Sequence, residues 1–133
     1  MRVHGSCHCG NVRFDAEVDP EQTTICHCTD CQKLTGSAYR VSVPAQEGSF
    51  RVTAGEPRIY VKTGDNGARR AQAFCPNCGS PLYTYAADDP RIFGLRVGGI
   101  TEREALVPKR QKWCRSALRW TADISGLPGE QKD

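Results

Sequence analysis

Val12, Phe14, Ala16 and Val18 alternate with Arg13, Asp15 and Glu17, the period-two pattern of a half-buried strand. Segments 38–44 and 49–53 continue in the same way, with Phe50 and Val52 opposite Arg51 and Thr53. Ile59 and Val61 against Arg58, Tyr60 and Lys62 predict another strand, and 69–74, 81–85 and 92–97 supply three more. Gly64-Asp65-Asn66-Gly67 marks a hairpin, because Asn and Gly accept the positive φ that tight turns need. Helix is scarce. Thr29-Asp30-Cys31-Gln32 fits a capping box with Thr29 as N-cap and Gly36 as the stop, and Thr101-Glu102-Arg103-Glu104 fits a second one for at most a turn or two of helix, ended by Pro108. Residues 109–119 read as a final strand with its tryptophans on the sheet and its charges in water. Short strands joined by short turns predict a mostly β, antiparallel fold.

The chemistry lies where these strands end. Cys26-His27-Cys28-Thr29-Asp30-Cys31 overlaps a CxC with a CxxC, Cys7-His8-Cys9-Gly10 is a second CxC, and Cys75-Pro76-Asn77-Cys78-Gly79 is a CxxC in a tight turn. Residues i and i+2 of an extended chain face the same way, so Cys7 and Cys9 can meet one metal while His8 points elsewhere. A redox pair at Cys75 and Cys78 would call for a βαβ pattern, which is absent. The simplest division puts Cys7, Cys9, Cys75 and Cys78 on one metal and leaves Cys26, Cys28 and Cys31 as a triad. Four thiolates make a closed zinc site, and three leave a position for water or substrate. Cys114 either completes the triad, closing it, or packs as a small hydrophobe.

Composition narrows the rest. At 133 residues the chain predicts a single domain over 1–124 with a loosely held tail over 125–133. It contains no apolar run of membrane length, and Met1-Arg2-Val3-His4-Gly5-Ser6-Cys7 is too polar for a signal peptide. A cytoplasmic setting keeps thiols reduced, so eight cysteines point to metal rather than disulfides. The formal charge of +3 would fall to about zero with seven thiolates on two zinc ions, which weakens any case for nucleic acid. Lys109, Arg110, Lys112, Arg115 and Arg119 around Trp113 and Trp120 keep open the alternative of a non-catalytic zinc domain that binds protein or nucleic acid. Lys33 and Arg40 lie close enough to the triad to meet a substrate carboxylate, although surface Lys and Arg are usually just solvated. His27 is a tempting general base but sits between two ligands.

Three blocks, Gly5-Ser6-Cys7-His8-Cys9-Gly10-Asn11-Val12-Arg13-Phe14, Cys26 through Ser37, and Phe74-Cys75-Pro76-Asn77-Cys78-Gly79-Ser80, resemble the glutathione-dependent formaldehyde-activating enzyme family in order and spacing. The Trp113…Ser116…Trp120 ending is similar as well. The resemblance implies a β-tent fold with two zinc ions. It makes Cys7, Cys9, Cys75 and Cys78 the structural ligands, and Cys26, Cys28 and Cys31 the catalytic ones. It also implies a carbon–sulfur lyase or synthase that joins a small-molecule thiol such as glutathione to an aldehyde such as formaldehyde. A three-ligand metal site is consistent with partial occupancy.

Overall fold

Ten strands form in the computed structural model, which describes residues 1–132; Asp133, the end of the expected tail, lies outside the described residues. The first sheet has three antiparallel strands in the order β1 (Arg2–Ser6), β2 (Arg13–Glu17), β5 (Arg51–Ala54). The second has seven. Its members are β3 (Thr24–Cys26), β4 (Arg40–Pro44), β6 (Arg58–Thr63), β7 (Arg69–Phe74), β8 (Pro81–Ala86), β9 (Asp89–Arg96) and β10 (Arg110–Lys112), ordered β10-β3-β4-β9-β8-β7-β6. The single α-helix among the described residues, α1, covers Thr29–Thr35. The chain is thus mostly β, as expected of a β-tent with little helix.

Alternation decides what each sheet buries. From the first sheet Val3, Phe14 and Ala16 point inward, and from the second Val43, Leu95, Tyr83 and Ala73 meet them in one core, with Phe50 and Phe93 stacked at 4.4 Å on its edge. Phe14 lies across Gly5, its partner in the β1–β2 register. A Cβ at Gly5 would stand 2.0 Å from Cζ of that ring. Gly5→Ala is therefore expected to destabilise the protein by about 1–3 kcal/mol, the usual cost of overpacking, read as a lower urea midpoint.

The other face of the large sheet is polar. Register places Cys26, Arg40, Ser42, Arg96, Thr84, Gln72 and Arg70 there in one continuous band, since Cys26 pairs with Arg40, Ser42 with Arg96, and Gln72 with Thr84. Helix α1 is tied to this side by an Asp30–Lys62 ion pair of 2.8 Å. The expected hairpin turn forms between β6 and β7, where Gly67 takes φ 82° and Asn66 Oδ1 accepts from Ala68 N at 2.9 Å.

Two expectations need correction. The final strand is only Arg110–Lys112, and it pairs with β3 in parallel, the exception to an otherwise antiparallel sheet. Trp113 then takes φ 55°, a left-handed conformation rare for an aromatic residue, which ends the strand. Trp113 and Trp120 are 48% and 60% exposed instead of packed on the sheet. The short helical turn expected after Thr101 forms as a 3-10 turn at Arg103–Ala105, but the Thr101 capping box does not: Glu102 is the N-cap, and its carboxylate accepts from His4 N and pairs with His4 Nδ1 instead.

Candidate metal centre

Cys7 leaves β1 and Cys75 leaves β7 in similar turns. Gly10 N donates to Cys7 O and Gly79 N to Cys75 O, and both glycines hold φ near 80°, where a side chain would be strained. These turns bring Cys7, Cys9, Cys75 and Cys78 together, with their sulfurs all within 4.8 Å of one another. Cys7–Cys9 and Cys9–Cys75 are 3.6 and 3.8 Å apart. Zinc–thiolate bonds of about 2.3 Å give a tetrahedral S–S edge of about 3.8 Å, so the spacing fits a bound zinc.

The surrounding donors suit thiolates. Val12 N points at Cys7 Sγ (3.2 Å), Asn77 Nδ2 at Cys9 Sγ (3.3 Å) and Asn77 N at Cys75 Sγ (3.4 Å). The Ser80 hydroxyl, then the backbone N–H groups of Cys9 and Ser80, bring the Cys78 thiol down to about 5. The Asn77 amide, followed by the Asn11 backbone, lowers Cys9, while burial raises Cys7. His8 is exposed and is not among the clustered residues, as its position between two inward-facing cysteines requires.

The triad gathers around the start of α1. Cys26 ends β3, Cys28 is the N-cap, and Cys31, one turn in, is buried; the three sulfurs lie within 4.8 Å of one another. The expected capping box is displaced by one residue. Cys28 Sγ, not the Thr29 hydroxyl, accepts from Cys31 N at 3.1 Å. Gln32 instead donates to His27 O (2.9 Å) and Ser116 O (3.1 Å), tying α1 to the C-terminal segment. Burial pushes Cys28 up, but bonds from the Cys31 thiol and backbone, then Cys26 and the charge of Arg40, outweigh it and bring Cys28 below its ordinary value. Burial, then the bond to Cys28, pushes Cys31 well up. A cation seated among the three sulfurs would reverse that, since metal ligation deprotonates thiols.

Cys114 is exposed and joins neither cluster, so it neither completes the triad nor packs as a small hydrophobe. Among the described residues no His, Asp or Glu joins the triad either. His27 is buried and turned away, with Nε2 2.7 Å from Gln111 Oε1. Lys33 is solvated, but Arg40 is half-buried beside the triad. Arg96 and Arg70 join it across the polar face. No motif flagged these two, although Arg96 does interrupt the apolar run Phe93–Val97.

Residues 2–116 match the model of the glutathione-dependent formaldehyde-activating enzyme family. This chain belongs to that family. A Halomonas elongata protein named as a candidate glutathione-dependent formaldehyde-activating enzyme is 30% identical over 95 residues, covering 68% of this chain and 59% of its own length. This family member therefore spans about three fifths of that relative. A crystal structure of a Rhodobacter sphaeroides protein shares the fold, with a TM-score of 0.61 at 21% identity over 82% of this chain and 99% of its own. No helix among the described residues is long and apolar enough to cross a membrane.

Proposed function

We propose that this protein is a zinc-dependent carbon–sulfur lyase or synthase that joins a thiol, glutathione or a similar molecule, to an aldehyde such as formaldehyde. The observation that carries this reading is the triad: three clustered thiols with no fourth protein ligand among the described residues, in a chain of this family. Cys7, Cys9, Cys75 and Cys78 would hold a structural zinc, and Cys26, Cys28 and Cys31 a catalytic one. Zinc at the triad would supply a site that holds a thiol as thiolate or polarises the aldehyde oxygen.

The rest is the work of the chain. Arg40, whose charge lowers Cys28 and opposes the rise of Cys31, favours negative sulfur nearby. In the reaction the thiolate sulfur adds to the carbonyl carbon, the C=O π pair moves to oxygen, and oxygen takes the proton the thiol gave up. Nothing leaves, and the product is the S-hydroxymethyl adduct. Formaldehyde needs little activation, so positioning supplies most of the catalysis. His27 is buried, and Gln111 holds its ring at Nε2. Reduced thiols suit a cytoplasmic setting, and the fold would be a single domain over 1–124.

Zinc stoichiometry in the reduced protein, with and without glutathione, tests this, beside NMR exchange between glutathione, formaldehyde and their adduct. Two zinc ions, perturbation of only the triad metal by glutathione, and exchange faster than in buffer are expected. A triad metal indifferent to thiols, with exchange at the buffer rate, would overturn the enzyme reading. It would favour partner binding through the 109–120 strip, where Trp113 and Trp120 stand exposed.

A further inference from the structure

The polar face of the large sheet carries more positive charge than the triad can balance. Arg40, Arg70 and Arg96 share that face, and none pairs with a carboxylate among the described residues. Asp30, which feels the charge of Arg40, is engaged by Lys62. Arg96 is 7% exposed; one Nη donates to Gln72 Oε1 at 3.1 Å, and the other is buried without a partner. Arg40 Nε is buried and unpartnered too. Burial, and after it the charge of Arg40, brings Arg96 down to about 9 and also lowers Arg70, as expected of guanidiniums crowded together out of water. Three thiolates on a divalent ion carry a net charge of only −1. Buried charges are normally paired, so this cluster is short of an anion.

The space for one is present. Arg40 and Arg96 line a cavity of 420 Å³ together with His8, Tyr39, Ser6 and Ser80, which add polar groups to its wall. A second cavity of 350 Å³ adjoins it, sharing Arg96 and Pro81. Thr35, one helical turn after Cys31, lines the first cavity, and Arg40 on its wall pairs in register with Cys26.

We propose that Arg40 and Arg96 form a carboxylate subsite beside the triad, which selects thiols that carry a negative charge. This rests on the thiol–aldehyde reading above and adds its specificity. A planar carboxylate suits the paired donors of a guanidinium, and Arg96, fixed by Gln72, is already oriented. Neutral or cationic thiols of the same size would leave the guanidiniums unpaired and bind poorly.

The test is calorimetric titration of the zinc-loaded protein with S-methylglutathione, whose sulfur is blocked, and with its dimethyl ester. The free acid should bind about 10- to 100-fold more tightly than the ester, the range for charge-assisted hydrogen bonds. Arg96→Met and Arg40→Met should each bring the acid close to the ester's affinity, with circular dichroism unchanged. Equal binding of acid and ester, no binding of the acid, or wild-type binding of the acid by both variants would overturn the subsite. Failure of the parent reading looks different: glutathione would leave the triad metal undisturbed while the blocked acid still bound.

Discussion

Cys75→Ser is expected to abolish folding rather than weaken it. Cys75 is fully buried at the end of β7, and its site joins that strand to the end of β1 across 66 residues. The core beneath is modest, because the opposite face of the large sheet, with Arg40, Arg96 and Arg70, carries polar groups in place of apolar contacts. A structural zinc held by thiolates contributes about 10–16 kcal/mol in small metal-dependent domains, against a total stability of about 5–15 kcal/mol for a typical protein. A substitution that costs the site its metal would therefore remove about as much free energy as the fold has. The measurement is far-ultraviolet circular dichroism of Cys75→Ser beside wild type treated with a strong zinc chelator, and both should lose the β signal. Cys114→Ser, an exposed cysteine outside both clusters, should stay within about 0.5 kcal/mol of wild type. A folded Cys75→Ser with wild-type stability would show that the four-cysteine cluster is not structural.

What could be read from the chain beforehand follows from which interactions are local. The cysteine turns were legible because Cys-x-Cys-Gly and Cys-x-x-Cys-Gly carry their own geometry: a glycine at positive φ and two sulfurs on one side. The strands were legible wherever apolar residues alternate, as in β2, and the hairpin at 64–67 because Asn66 caps its own turn. The arginine cluster was not, since Arg40, Arg70 and Arg96 come from three strands and become neighbours only through register. The C-terminal segment misled for the same reason. Lys112 and Gln111 form a strand only because β3 offers them an edge, and nothing local says that the pairing is parallel or that it stops at Trp113. The cap of α1 fell one residue from its expected place because a thiol was not counted as a cap. Cys28 Sγ accepts from an N–H as a serine oxygen would, so a residue assigned to chemistry also starts the helix.

That double role separates structure from catalysis at the triad. Cys28→Ala removes the ligand and the cap together, and Cys28→Ser removes the ligand but leaves an oxygen that caps well. Both variants should lose the triad metal and keep the four-cysteine one, because a neutral hydroxyl does not replace a thiolate on zinc. Both should lose about 100-fold or more of the glutathione–formaldehyde exchange rate, at least the effect of removing a metal ligand's hydrogen-bond partner. They should differ in stability. The alanine variant gives up about 0.5–2 kcal/mol of capping that serine retains, visible as a lower urea midpoint. Equal exchange losses with unequal stabilities would place catalysis on the thiolate and the helix start on the cap. If Cys28→Ser kept the wild-type exchange rate, the triad thiolate would not be the working group, and if both variants unfolded like Cys75→Ser, the triad would be a second structural clamp.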